Sequence, residues 1–591
     1  MMRRCLRLFA LLLAANLSVA AAGEHGGDEW IGVLTVRFDN IEAIDARDGE
    51  VAKFLAGIGV DGAAQPPLRT LVGPLLRNPR LSGFSPDAWL EGMLLAPAKP
   101  GNPAWVWSFP AENRDEYRTA LERQGLADLE NMDETLALSE FDPAGNIRYW
   151  HLEWLPGNVA VFGANREAVR AARELYESPG AAGGWLAPRR SRALSPDVRI
   201  WFSPSRFAAW QDREPGVYWW RSQVRRLANE LAGYWRPDVS RARLIDGLGE
   251  ELAALPLAWR DMDASLWIGR DGFEWQLDMD GGDPAASAHS RLSAARRLPD
   301  RIVQGFAAAF SPRAIEERFA FAGRLLVEGA GGAVPVAARL EAGALLELLR
   351  EAGIRQIAVG WLPSPAGAPA LGSARIMVLE CADALSADAA WRRFETTTLR
   401  DNAVGRTLAQ LGWNVETAEV GAARTIRILP AESGAPYLDL LAAAKAERNL
   451  VAAAWAENPA DAALRRERAE HLAALVGEAL SGDPPGTAGV REAFTLMGAD
   501  GGDFLALFFP VGFAQLALSE NADWRPLAPD EPEPESTRLA REMLEYRDAG
   551  PPWTAVGERT GRGWRINGRI SWNSLLAFAA ALGLTDYLLP D

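Results

Sequence analysis

One pattern, in which two strands joined by a turn lead into a helix, occurs twice in the chain and constrains its fold most strongly. In residues 148–177, polar and apolar residues alternate from Tyr149 to Trp154, which predicts a strand with two different faces. Residues 156–158 read Pro-Gly-Asn and favour a turn. A short apolar run follows, and Asn165 is placed to cap a helix with apolar residues at helical spacing.

The same order of predicted elements recurs in the second half of the chain. Asn458 and Pro459 take the place of Asn165, as a helix cap followed by proline at the first helical position. We therefore predict a signal peptide over residues 1–22 and two tandem repeats over 23–298 and 299–591. Five pairs of matching stretches begin at Trp30 and Ile302, Ala104 and Ala374, Arg148 and Arg424, Val198 and Phe504, and Ala264 and Thr554.

The order of elements within each copy predicts the fold class. Strands alternate with helices, and two of the strand pairs are hairpins closed by short turns. This order favours an α+β fold, in which two tandem α+β repeats form mixed or antiparallel sheets with helices packed on one face.

Two motifs carry a resemblance to a known kind of protein. They are the strand–helix motif WSFPAENRDEYRTALERQG and the hairpin–helix motif GNVAVFGANREAVRAARELY. Both are similar to segments of uncharacterised secreted bacterial proteins built from repeated α+β modules, of the domain-of-unknown-function type. The resemblance implies a class of architecture and no particular activity.

The first residues have the composition of a signal peptide. Arg3, Arg4 and Arg7 form a positive start, and an apolar stretch from Leu8 to Val19 precedes three alanines. We predict cleavage after Ala22 and a periplasmic or secreted mature protein. The apolar stretch is shorter than the roughly 20 residues that span a bilayer, so we predict no transmembrane segment after cleavage.

Charge and cysteine content exclude several classes of function. The formal charge of −16 argues against nucleic acid as a partner, because phosphates require a basic surface. Only Cys381 remains after signal cleavage, so an internal disulfide is impossible and we predict a small buried core residue. A content of 48% hydrophobic residues is enough for the core to hold the fold.

Signatures of catalysis and of metal binding are missing from the sequence. The histidines, His25, His151, His289 and His471, are far apart and have no metal-binding spacing. The chain contains no nucleophile-elbow motif and no phosphate-binding loop. We therefore predict no catalytic residues, no metal and no cofactor, and we lean away from an enzyme.

The 23 tryptophans are the most unusual feature of the composition. Exposed aromatic residues stack on sugar rings or anchor a protein partner. We predict a non-catalytic binding or structural protein of the cell envelope, whose partner is a protein or a glycan. The alternatives are a hydrolase that acts on envelope polymers through unmarked carboxylates, and a carrier of an apolar ligand between the two halves. The candidate binding residues lie in an arginine-rich segment flanked by glycine and proline: Tyr218, Trp219, Trp220, Tyr234 and Trp235.

Overall fold

The structure of the chain is a computed structural model, in which the chain folds into two compact units. The first unit comprises Met1–Trp220, Ala253–Arg270 and Glu274–Gly282, and the second comprises the remaining residues. The structure describes residues 30–46, 68–85, 89–97, 103–124, 127–132, 135–141, 147–177, 196–213, 259–269, 271–281, 292–299, 301–309, 353–393, 413–421, 423–430, 438–481, 503–510, 552–560 and 562–572, with a few single positions between 512 and 574.

The first unit is built on antiparallel strands. The strands are β1 (Trp30–Phe38), β2 (Leu90–Pro97), β3 (Ala104–Pro110), β4 (Ala127–Met132), β5 (Thr135–Phe141), β6 (Ile147–Leu155), β7 (Val159–Gly163), β8 (Val198–Phe202), β9 (Trp259–Ile268) and β10 (Gly272–Gly281), most of which belongs to this unit. Among the described residues, residues 41–46 are helical, and the helices with defined bounds are α1 (Leu68–Leu75), α2 (Arg114–Arg123), α3 (Arg166–Glu177) and α4 (Pro204–Arg213). The order across the sheet is β4-β5-β6-β7-β3-β2-β1-β8-β9-β10.

The strands of the second unit pair in the corresponding order, β14-β15-β16-β17-β13-β12-β11-β18-β19-β20. Each strand therefore has the same place in its sheet as the strand numbered ten lower in the first unit. The strands are β11 (Gln304–Ala309), β12 (Gln356–Leu362), β13 (Ala374–Glu380), β14 (Trp413–Val420), β15 (Ala423–Pro430), β16 (Leu438–Glu447), β17 (Leu450–Glu457), β18 (Phe504–Phe508), β19 (Trp553–Thr560) and β20 (Gly563–Ser571). Among the described residues of this unit, the α-helices with defined bounds are α5 (Ala384–Arg393) and α6 (Ala462–Leu480).

Helices cover both faces of each sheet. In the first unit, α3 packs through Ala168 and Val169 on the face that carries Val161. On the opposite face, Tyr117 of α2 packs against Phe109, with ring centroids 5.1 Å apart. In the second unit, α6 packs on one face and α5 on the other.

The predicted fold class, two α+β repeats with mixed or antiparallel sheets and helices on one face, is therefore wrong. Strands make up 48% of the structure against 29% for helices, and the strands pair in antiparallel fashion. Strands β4 and β5 were not predicted from the sequence, and neither was β2. This strand is buried on both faces and reads as a continuous apolar run without alternation.

The segment around Pro156 folds as predicted. Gly157 and Asn158 adopt φ angles of 77° and 62° in the turn between β6 and β7. Asn165 Oδ1 accepts a hydrogen bond of 3.0 Å from Ala168 N at the start of α3. The predicted cap of the corresponding helix is wrong, because α6 is capped by Asp461, three residues after Asn458.

Within the described part of the chain, no helix is long and apolar enough to cross a bilayer.

Candidate functional site: a polar row under helix α3

Hydrogen bonds between backbone groups define which residues of the two units are equivalent. Asp39 N donates to Asp197 O in the first unit, and Ala309 N donates to Asp503 O in the second. The Asp197 carboxylate accepts from Ile268 N at 2.6 Å, and the Asp503 carboxylate accepts from Arg559 N at 2.8 Å. The two aspartates therefore make equivalent hydrogen bonds in the two units.

Further bonds extend this equivalence across the sheets. Ser203 N donates to Val33 O, as Phe509 N donates to Val303 O. On the other side of the sheet, Ala111 N donates to Asn158 O, as Cys381 N donates to Asn449 O. Positions in the two units can therefore be compared one by one.

A line of polar residues crosses the sheet of the first unit on the face that α3 covers. Residues directly opposite each other on antiparallel strands point to the same face. The register of β6, β7, β3, β2, β1, β8 and β9 aligns six polar residues and one valine. We call this line the polar row: Glu153, Val161, Ser108, Glu91, Arg37, Arg199 and Ser265.

The polar row is buried. Glu91 and Ser108 are 0% exposed, Glu153 is 1% exposed and Ser265 is 2% exposed. Arg37 and Arg199 are also largely covered, with side-chain exposures of 14% and 11%. Burial of charged groups is unfavourable unless they are paired and hydrogen-bonded.

The equivalent line of the second unit is apolar apart from an exposed lysine at one end. Its positions are occupied by alanine, valine and leucine, which join the core beneath α6. The line contains Lys445, Ala452, Val378, Ala358, Ala307, Leu505 and Val556. The strand order and register of this fold therefore form without buried charges at these positions.

Ion pairs hold the cationic groups of the polar row. Arg37 Nε lies 2.6 Å from an Asp39 carboxylate oxygen. Arg199 binds Asp263 in a bidentate manner, with N–O distances of 3.0 and 2.5 Å. From α3, Arg173 places one guanidinium nitrogen 3.6 Å from a Glu153 oxygen.

Several hydroxyl groups near the row have no hydrogen-bond partner in the part of the chain that the structure describes. They are the buried Ser108 Oγ, Ser265 Oγ and Thr35 Oγ1. Thr35 lies two residues before Arg37 and therefore on the same face. A buried hydroxyl that forms no hydrogen bond is destabilising.

Aromatic residues lie beside the middle of the row, near Glu91 and Arg37. The Arg37 guanidinium lies over the Trp89 ring, 4.9 Å from its centroid. Trp89 also stacks on Tyr176 of α3, with ring centroids 6.4 Å apart. Burial and the negative charge of Glu91 raise the pKa of Tyr176, while Arg37 acts in the opposite direction. Tyr176 is therefore a neutral hydroxyl at physiological pH.

His151 lies on the same face, two residues before Glu153. Burial, followed by the charges of Arg166 and Arg170, lowers the pKa of His151 to about 4. The histidine is therefore neutral near pH 7. Within the described residues, no group of three or more His, Cys, Asp or Glu side chains could hold a metal ion.

Cys381 is buried, as predicted. Burial, together with the nearby Asp383 and Glu380, raises the pKa of its thiol to about 11. A thiol that stays protonated at neutral pH is a poor nucleophile.

The predicted binding residues lie outside the described residues, so the structure says nothing of Tyr218, Trp219, Trp220, Tyr234 or Trp235. Glu91 and Ser108, the central members of the polar row, were not predicted from the sequence. The one sequence feature that could have indicated the site is the glutamate inside the apolar run LEGMLLAP. It indicates a buried charge only once this run is known to be a buried strand.

The chain matches no protein-family model, no curated protein and no solved structure.

Proposed function

We propose that this chain is an exported binding protein of the cell envelope, and that the polar row of its first unit is the ligand-binding site. A single observation carries the proposal. The fold forms the same line with Ala358 and Val378 in the second unit, whereas the first unit keeps Glu91 and Ser108 buried there. Buried charges that the fold does not need are typical of functional sites.

The second unit then has the role of a structural copy. Its line joins a continuous apolar core with Leu472, Leu475 and Val476 of α6. Apolar burial of this kind stabilises a fold and offers few polar groups to a ligand.

The spacing of the carboxylates favours binding over glycoside hydrolysis. Glu91 and Glu153 lie three strand steps apart, which is about 14 Å between their backbones. Glycosidases need two carboxyl groups roughly 5–9.5 Å apart.

The test compares the wild type with a row variant that carries Arg37→Met, Asp39→Asn, Glu91→Leu and Ser108→Ala, in which Arg37 is removed together with its ion-pair partner. Full-length mature protein is equilibrated by dialysis against a low-molecular-weight extract of the cell envelope, and retained compounds are identified by mass spectrometry. We expect the wild type to enrich at least one compound that the row variant does not.

The matched control is Ala358→Ser, which changes the position equivalent to Glu91 in the second unit and is expected to retain the compound. If the row variant enriches the same compounds as the wild type, the site proposal is wrong.

A further inference from the structure

We infer that the first unit carries a second binding surface, beside the start of α3, for an acidic glycan. We call this surface the cationic patch, and it consists of Tyr149 and His151 of β6 with Arg166 and Arg170 of α3. The inference goes beyond the proposed function, because none of these residues belongs to the polar row. It rests on the register, the exposure and the charge of the patch.

The two residues of β6 lie on the face of the sheet that α3 covers in part. His151 pairs with Gly163 of β7 and precedes Glu153 by two residues, so it shares a face with the polar row. Tyr149 precedes His151 by two residues and therefore lies on the same face, about 7 Å farther along the strand. Helix α3 begins three residues after Gly163, which brings its first turn close to His151.

This part of the face is open in the first unit and covered in the second. The positions equivalent to Tyr149 and His151 are Leu441 and Ala443, which are 0% and 3% exposed in the core beneath α6. Helix α6 extends over β15 and β14, whereas α3 lies over β6, β7, β3 and β2. Tyr149 is 51% exposed, so a ligand in solution can reach its ring.

The positive charge of the patch is not balanced by an ion pair. Arg170 is exposed and Arg166 is half-buried, and neither forms an ion pair within the part of the chain that the structure describes. The same is true of Glu167 in the first turn of α3, and Glu153 of β6 lies beside Arg173 instead. Like charges one turn apart repel each other, and the N-terminal end of a helix disfavours cations. A cluster of this kind in a chain with a formal charge of −16 is suited to an anionic ligand.

The two guanidinium groups act on one place. Burial, followed by the charges of Arg166 and then Arg170, lowers the pKa of His151, so both arginines lie close to the histidine. Arg166 Nε has no hydrogen-bond acceptor among the described residues. Guanidinium groups bind carboxylate and phosphate groups with well-aligned pairs of hydrogen bonds.

The exposed ring of Tyr149 specifies the ligand further. A tyrosine ring packs against the apolar face of a sugar, and its hydroxyl group hydrogen-bonds to polar groups of the ligand. Ile147, which is 49% exposed, extends this surface by two residues along the same face. Nucleic acid and anionic membranes require a larger basic surface than two arginines. An acidic glycan fits the patch, with its anionic group at the arginines and a sugar ring on Tyr149.

The experiment uses three hexasaccharides that differ in charge. Hexagalacturonate is anionic, maltohexaose is neutral and the glucosamine hexamer is cationic. Binding to the full-length mature protein is measured by isothermal titration calorimetry at constant ionic strength. We expect hexagalacturonate to bind about tenfold more tightly than the other two, because only its carboxylates can pair with the arginines.

Variants at exposed positions assign that binding to the patch. We expect Arg170→Gln to weaken hexagalacturonate binding about fivefold, because it removes a charge-assisted contact. The matched control is Arg123→Gln, which removes an exposed arginine from α2 that forms no ion pair with the described residues and should leave the affinity unchanged. Tyr149→Ala should also weaken binding, whereas Tyr149→Phe keeps the ring and should bind like the wild type.

Three results would overturn the inference. The ligand class is wrong if hexagalacturonate does not bind, or binds no more tightly than the neutral and cationic hexasaccharides. The location is wrong if Arg170→Gln and Arg123→Gln change the affinity equally. Binding that Tyr149→Ala leaves unchanged would show that no sugar ring lies on Tyr149, and a glycan would then not be the ligand of the patch.

Discussion

At the scale of single residues, the polar row combines groups that a fold optimised for stability would not bury together. Ser108 shows this most clearly, because its hydroxyl is completely buried and has no hydrogen-bond partner in the described part of the chain. Ser203 is buried to nearly the same extent, but its hydroxyl donates to Arg260 O at 2.8 Å. The two serines therefore provide a matched comparison.

We predict that Ser108→Ala raises the free energy of unfolding by about 1 kcal/mol, because an unsatisfied buried hydroxyl costs roughly 1–3 kcal/mol. Ser203→Ala should lower it by about 1 kcal/mol, since it removes a hydrogen bond that is made. Urea unfolding of both variants measures the difference. A loss of stability in Ser108→Ala equal to that in Ser203→Ala contradicts the prediction.

His151 predicts a pH dependence of stability. Its pKa is about 4 in the folded protein, against about 6.5 for an unperturbed histidine. Between these values the unfolded chain binds a proton that the folded chain does not, so stability falls as the pH decreases from 6.5 to 4. Above pH 6.5 the histidine is neutral in both states and contributes no pH dependence.

We therefore expect Tm to fall less in His151→Gln than in the wild type when the pH is lowered from 7 to 4.5. Carboxylates also titrate in this range, so the difference between the two proteins, and not the fall itself, reports on His151. If Tm falls equally with pH in the wild type and in His151→Gln, His151 binds its proton as readily in the folded protein as in the unfolded chain, and the prediction is wrong.

At the scale of elements, two aspartates link neighbouring strands in the same way in both units. Asp197 precedes β8 and accepts from a backbone N–H of β9, while Asp503 precedes β18 and accepts from a backbone N–H of β19. Asp503 is 4% exposed, so water cannot easily replace the carboxylate.

We predict that Asp503→Ala lowers the free energy of unfolding by about 2 kcal/mol, because hydrogen bonds to charged groups contribute roughly 1.5–3 kcal/mol. Asp503→Asn keeps an acceptor oxygen and should lose about half as much. The corresponding pair of variants at Asp197 provides an internal replicate. The measurement is urea unfolding. If Asp503→Ala is as stable as the wild type, the hydrogen bond from Arg559 N to Asp503 does not stabilise the fold.

The elements also show what the sequence could predict. The turn at Gly157 and the cap at Asn165 depend on residues within a few positions of each other, and both were predicted correctly. Strand β2 lacks the alternation that marks a half-buried strand, so it was missed. The polar row depends on the register of seven strands, and a local sequence pattern does not contain this register. Glu91 and Glu153, for example, lie in one line only because β2 pairs with β3, β3 with β7 and β7 with β6.

At the scale of the whole molecule, two units share one strand order but differ in what they bury along one line of the sheet. The second unit buries alanine, valine and leucine beneath a helix of 19 residues. The first buries carboxylates and guanidinium groups along a face on which a helix of 12 residues covers strands β6, β7, β3 and β2. This division suits a protein in which one copy of the fold supplies stability and the other carries the site.

The central claim, that the polar row is kept for binding and not for folding, is tested most directly by urea unfolding of the row variant. Replacing buried ionic groups by apolar residues of similar volume is often neutral, or stabilising by about 1–4 kcal/mol. We predict that the row variant, with Arg37→Met, Asp39→Asn, Glu91→Leu and Ser108→Ala, unfolds at the same urea concentration as the wild type or at a higher one, because the Arg37–Asp39 ion pair is removed as a whole. A loss of more than about 3 kcal/mol, the magnitude expected when a structural ion pair is broken, would contradict the account and make the row a part of the scaffold.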